Sequence, residues 1–204
     1  FLKYRTNQAG SRAEIEESFK NISAISTTAS NGTNNEIVFE APKPVKIEST
    51  LQGDDGRQAM KYVRQHAKEL GINPKKVGLM GFSAGAVLTS NVIYTHDETT
   101  RPDLAAFIYG RGVANTISDP MPLFLCSPVY DAASLPATGL LYMHLNWKAA
   151  RVPTGLQFIH DARHGNGLQY NGREWNEWID NLYNFMKAVK FVEQPTPIGV
   201  TQNR

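Results

Sequence analysis

The chain has 204 residues, 41% of them hydrophobic, and a formal net charge of +2, enough apolar material for one substantial core and unlike a disordered or collagen-like polymer. Lysine, arginine, aspartate and glutamate are interleaved, which excludes the single-signed surface of a nucleic-acid or membrane partner and favours a small, neutral one. The longest apolar runs, 77–80 and 121–126, fall far short of the roughly 18 residues that cross a bilayer.

FLKYR, residues 1–5, reads as a short strand. Beyond it Asn, Ser, Thr and Glu dominate, and residues 7–51 read as an irregular insertion, either part of a lid or pocket wall or a solvated loop, with a helical turn at 14–19 and loops at 30–35 and 41–44. Two N-glycosylation sequons lie within it, at Asn21 and Asn31, a pattern short enough to recur by chance. From Asp54 the pattern sharpens: Met60, Val63, His66 with Ala67, and Leu70 recur at helical spacing. Asp54 or Asp55 is the expected cap, Gly71 the expected stop, and Pro74 bars continuation. Residues 77–81 predict a buried strand and 84–94 a helix.

LAAFIY (104–109) and LFLCS (123–127) are the next two strands, with a helix expected between 140 and 150 and a further strand at LQFIHD (156–161). The closing helix, 174–189, sets Trp175, Trp178, Leu182, Phe185 and Met186 on one stripe. Strands alternating with helices predict the α/β class, one domain built on a parallel sheet covered on both faces. Cys126 is the single cysteine, so neither an intrachain disulfide nor a cysteine-based metal site can form; its setting in LFLCSP predicts an inert thiol in a buried strand.

Gly81-Phe82-Ser83-Ala84-Gly85 fits G-x-S-x-G, with the strand before and the helix after that the motif requires. A strand turning straight into a helix strains its central residue, and glycines two positions either side let the backbone pass. The Ser83 hydroxyl is thereby expected above the carboxyl end of a strand, with the Ala84 amide facing a developing oxyanion. A turn that merely serves packing, or cradles a phosphate, would share the same letters. A hydroxyl needs a base to act as a nucleophile. Asp131, after the strand LFLCS, and His164, in the loop DARHGNG, follow in the order Ser, Asp, His; Asp161 is the second candidate acid. His66, His96, His144 and His160 sit where structural roles are expected. The sequence contains no H-E-x-x-H, P-loop or dinucleotide fingerprint, so no metal or nucleotide cofactor is predicted.

Taken together, DDGRQAMKYVRQHAKELGINPKKVGLMGFSAGA, RPDLAAFIYG, PMPLFLCSPVYDAASLP, WKAARVPTGLQFIHDARHGNGL and the tryptophan-rich last helix resemble the α/β-hydrolase superfamily. The similarity is to the carboxylesterase branch related to acetyl xylan esterases and dienelactone hydrolases, some labelled xylanase-like. The resemblance implies a three-layer sandwich with a mostly parallel sheet, Ser83 as nucleophile, His164 as base, Asp131 as the acid that orients it, and Ala84 as one oxyanion donor. It implies a small-molecule ester substrate, with an acetylated sugar among those it suggests, no cofactor, and a secreted or periplasmic setting. A serine peptidase of the same superfamily and a non-catalytic or truncated relative are the alternatives. Glycoside cleavage would need two facing carboxylates, which the sequence does not offer.

Two local departures stand out. Tyr130 replaces the first of a usual aspartate pair, with the loop through Ser134, Leu135 and Pro136 one residue longer, and Ala162-Arg163 replaces the usual glycine pair before the histidine. A third is larger: FLKYR corresponds to the family's fourth strand, so three earlier strands and an H-G-G-G-like loop with the second oxyanion donor are expected upstream of it. The strand leading to Ser83 would otherwise lack a neighbour, leaving backbone groups unpaired. The expectation is a longer polypeptide, or pairing with another segment; alone, half an oxyanion site would cost on the order of 100-fold in rate.

Overall fold

The computed structural model describes residues 47–113, 115, 117–131, 138–169, 172 and 174–193. The strand expected at 1–5, the turn and loops expected at 14–44, both sequons and the loop through Ser134, Leu135 and Pro136 lie outside the described residues.

Among the described residues four strands form one parallel sheet in sequential order: β1 (Gly78–Phe82), β2 (Leu104–Ile108), β3 (Leu123–Pro128) and β4 (Thr154–Ile159). A helix α1 (Leu51–Gln65) precedes β1, α2 (Ala84–Thr95) joins β1 to β2, and α3 (Thr138–Ala149) lies between β3 and β4. A 3-10 turn at Glu174–Asn176 leads into α4 (Glu177–Ala188).

Alternation along the central strands sorts the core into two layers. Ala105 and Phe107 of β2, with Leu123 and Leu125 of β3, face one side and pack with Ala86 and Ile93 of α2 and Leu140, Met143 and Trp147 of α3. Their neighbours Ala106, Ile108, Phe124 and Cys126 face the other side and meet Ile159, Trp175 and Trp178. Every residue of β2 and β3 is buried, which is why these segments read as unbroken apolar runs rather than alternating ones. The Trp147 indole N–H also donates to the Met121 carbonyl at 2.7 Å, fastening α3 to the approach of β3.

The entrance to the sheet is set by one carboxylate. Asp103 Oδ2 accepts the Val77 amide at 2.9 Å and Arg64 Nη2 at 2.8 Å, so the last turn of α1 holds the starts of β1 and β2 level. Among the described residues β1 pairs only with β2 and is an edge of the sheet; Met80 within it is 45% exposed.

Three elements differ from expectation at their boundaries. Helix α1 starts at Leu51, capped by Thr50, whose hydroxyl accepts the Gly53 amide at 3.0 Å, in place of Asp54 or Asp55. It also ends at Gln65, so Leu70 lies beyond it and is 52% exposed. The cause is tertiary: Asn91 of α2 accepts the Thr50 amide and donates to the Glu48 carbonyl, fixing the chain one turn earlier than composition suggests. Strand β4 begins at Thr154 and closes at Ile159, leaving His160 and Asp161 in the loop beyond. Trp175 belongs to the 3-10 turn ahead of α4 and not to the helix itself.

Candidate active site

Ser83 stands between β1 and α2 with φ 52° and ψ −116°, a left-handed backbone that a side chain tolerates only when its surroundings impose it. The imposition is visible on both sides. Its amide donates to the Ile108 carbonyl of β2 at 3.0 Å, while its carbonyl accepts the Ala86 and Val87 amides and starts the helix. A Cβ on Gly81 would lie 2.0 Å from the Gly85 carbonyl oxygen, so glycine at 81 is obligatory. Gly85 differs from expectation, because a Cβ there meets nothing within 4 Å; it contributes the carbonyl that crowds Gly81 and is not itself crowded.

A serine at a helix N-cap ordinarily turns its hydroxyl onto the helix's own amides. Ser83 makes no such bond. Its Oγ lies instead 2.7 Å from His164 Nε2, and His164 Nδ1 lies 2.8 and 3.0 Å from the two carboxylate oxygens of Asp131. An ionised carboxylate only accepts, so the ring carries its proton on Nδ1 and leaves the Nε2 lone pair toward the hydroxyl. Asp131 has 4% of its side chain exposed and His164 has 30%: the carboxylate is shut away from water while the ring stays open to an incoming molecule. The Ala84 amide opens α2 directly beside Ser83.

The three side chains come from three places in the chain, all at the carboxyl ends of the strands, where ligands of open α/β sheets bind. Asp131 stands just past β3, and His164 in the turn after β4. Asp161, the second candidate acid, is exposed, and its amide donates to the Glu174 carboxylate. The other histidines sit apart: His66 stacks on Tyr62 at the end of α1, and His144 approaches the Thr154 hydroxyl at 3.2 Å with its pKa lowered by burial and by Lys148. His160 meets the exposed ring of Tyr130 edge-on. Surface concavities of about 520 and 470 Å³, lined by Lys76, Lys187 and Lys190 and by His144, Lys148 and Arg151, lie at the opposite, amino ends of the strands. Among the described residues no three His, Cys, Asp or Glu side chains gather as metal ligands, and no helix is long and apolar enough to cross a membrane.

One residue escaped the sequence reading. Tyr109, expected as the last residue of a strand, is buried with φ 39°, and its ring lies 5.0 Å from that of His164 at 67°. An aromatic followed by Gly110 at the strand end beside the serine turn was the available signal.

The fold recurs in known structures. The acetyl ester-xyloside bifunctional hydrolase of Caldicellulosiruptor lactoaceticus superposes with a TM-score of 0.59 at 23% identity, over 69% of this chain and 66% of that one. MGS-M1, an α/β-hydrolase enzyme from a Medee basin deep-sea metagenome library, gives 0.57 at 21% identity, over 69% and 65%. The chain has the α/β-hydrolase fold. Within this hydrolase-fold chain, residues 44–112 match the BD-FAE family model, a span that includes Ser83 and stops short of Asp131 and His164. An acetylxylan esterase of Xylanibacter ruminicola is 38% identical over 60 residues, 29% of this chain and 12% of that enzyme. The chain thus spans just under two thirds of the two structures, and only a short part of the esterase it matches.

Proposed function

We propose that the chain is a carboxylic ester hydrolase that works through an acyl-enzyme on Ser83. The observation that carries the reading is the unbroken line from Ser83 Oγ through His164 to Asp131, with bonds of 2.7 and 2.8 Å, at a serine that declines to cap its own helix. In this reading Oγ attacks the ester carbonyl as its proton passes to Nε2. Asp131 stabilises the resulting imidazolium, and the Ala84 amide donates to the oxyanion. Collapse expels the alcohol, which takes the proton back from Nε2. Water then repeats the sequence on the acyl group and frees the acid and Ser83. No cofactor enters the scheme.

For the substrate we favour an acetyl ester carried by a carbohydrate, a preference supported by the stretch shared with an acetylxylan esterase. A small acyl group suits a scheme in which the enzyme retains only the acyl part on Ser83.

The test is turnover of p-nitrophenyl acetate beside covalent capture of Ser83 by a fluorophosphonate. Wild-type protein is expected to do both, and Ser83→Ala to lose about 10⁴-fold or more in kcat and all labelling. Cleavage of a peptide amide in preference to the ester would transfer the reading to a peptidase. Absence of both turnover and labelling would leave a non-catalytic hydrolase-like protein.

A further inference from the structure

Tyr109 stands at a crossing of the bonds that bring the site together. Its amide donates to the Cys126 carbonyl of β3 at 2.7 Å, and the carbonyl of the residue before it, Ile108, accepts the Ser83 amide. Its backbone sits at φ 39°, a strained setting that a tyrosine closing a strand has no need of unless its side chain is required in one place. That place is a cage of rings: Phe82 at 5.7 Å, Trp175 at 5.6 Å and His164 at 5.0 Å. The phenol pKa is raised, chiefly by burial and further by the Asp131 carboxylate, against a smaller lowering by the Gly167 backbone. The phenol oxygen reaches the histidine loop itself, 3.6 Å from where a Cβ on Gly167 would stand.

Gly167 is held from its other side as well. Its carbonyl accepts the Trp175 indole N–H at 3.0 Å. The loop carrying His164 contains glycines with φ 85° at 165 and φ 52° at 167, residues that lose the most conformational freedom on being ordered. Such a loop needs fastening if its imidazole is to stay in reach of Ser83.

We infer that Tyr109 is a positioning residue for His164: its ring walls the imidazole while its hydroxyl fastens the histidine loop at Gly167. A tyrosine that merely filled space could be phenylalanine without consequence; here the oxygen stands against Gly167, in the loop whose histidine ring the same side chain touches. The role rests on the ester hydrolase reading of the site, and its test separates the two.

Tyr109→Phe keeps the ring and removes the oxygen. It is expected to lower kcat for p-nitrophenyl acetate about tenfold with KM within about twofold, the pattern of lost orientation and not of lost substrate binding. Tyr109→Leu, lacking the ring too, is expected to lose about 100-fold. The second readout needs no turnover: in protein with nitrogen-labelled histidine, the His164 Nδ1 proton should exchange with water about tenfold faster in Tyr109→Phe, as a loosened loop opens more often. Trp175→Phe releases Gly167 from its carbonyl side and should speed the same exchange, which decides the matter if a Tyr109 variant does not fold. Wild-type exchange in both variants would overturn the role, as would a Tyr109→Phe protein with unchanged kcat. Failure of wild-type protein to turn over ester or bind fluorophosphonate would overturn the hydrolase reading alone, since exchange still judges Tyr109.

Discussion

Ser83 and Asp97 show how differently two polar side chains at the ends of α2 are used. The Ser83 hydroxyl turns away from the helix toward His164 and contributes little to holding α2; under the ester hydrolase proposal it gives its proton there. Under the same proposal that transfer depends on Asp131, which is buried and accepts from His164 Nδ1. Asp131→Asn presents an amide able to donate, which favours the ring tautomer with its proton on Nε2, facing Ser83. The expected result is a fall of about 10³ to 10⁴-fold in kcat for p-nitrophenyl acetate, with KM and fold little changed. Asp97, by contrast, serves structure. Hydrogen bonds from the hydroxyls of Thr99 and Thr100 hold its carboxyl down at about 2, below its unfolded value. A depressed carboxylate stabilises the fold fully above about pH 4, and that contribution is lost as the pH falls toward about 2. Urea midpoints for wild type and Asp97→Asn should therefore differ at about pH 5 and converge near about pH 2.

At the scale of elements, α1 against α2 exposes a competition between helix propensity and packing. Gly53 and Gly56 lie on the face of α1 that meets α2, and a Cβ on Gly53 would fall 1.7 Å from Asn91 Oδ1. In an open helix Gly→Ala gains about 1 kcal/mol. Here the added methyl would displace the Asn91 amide that joins Thr50 and Glu48, and such displaced, buried polar groups cost about 1 to 3 kcal/mol. Packing wins, so Gly53→Ala is expected to lower the urea midpoint; a rise would show that Asn91 yields freely. The same contact explains what was legible in the sequence. β2 and β3 announced themselves as apolar runs because both faces are covered, and α2 followed from the serine turn. The start of α1 did not, because the residue that sets it, Asn91, is 41 positions away from Thr50 and on another helix. Ser83, Asp131 and His164 could be singled out from motif and order. Tyr109 was not, since an aromatic before Gly110 marks only a strand end, and its backbone angle and its contact with a loop from beyond β4 arise only in the fold.

Across the whole molecule the sheet divides the interior into two layers, and Cys126 lies in the layer shared by Tyr109 and Trp178. Its thiol is fully buried and pushed up to about 12 by that burial, so thiolate chemistry waits on opening of the sheet. Labelling by a disulfide reagent is expected to be slow in native protein and to accelerate in step with the urea unfolding transition. Rapid labelling without urea would mean that β3 opens on its own.

The three tryptophans are distributed unequally over that divide: Trp147 is buried with α2 and α3, and Trp175 and Trp178 on the opposite side, beside the histidine loop. Each half of the interior therefore carries its own native fluorophore. Replacing Trp147 with phenylalanine silences one half, and the emission that remains becomes a private report from beneath His164, able to register a ligand's arrival or an early loosening there before the far half responds.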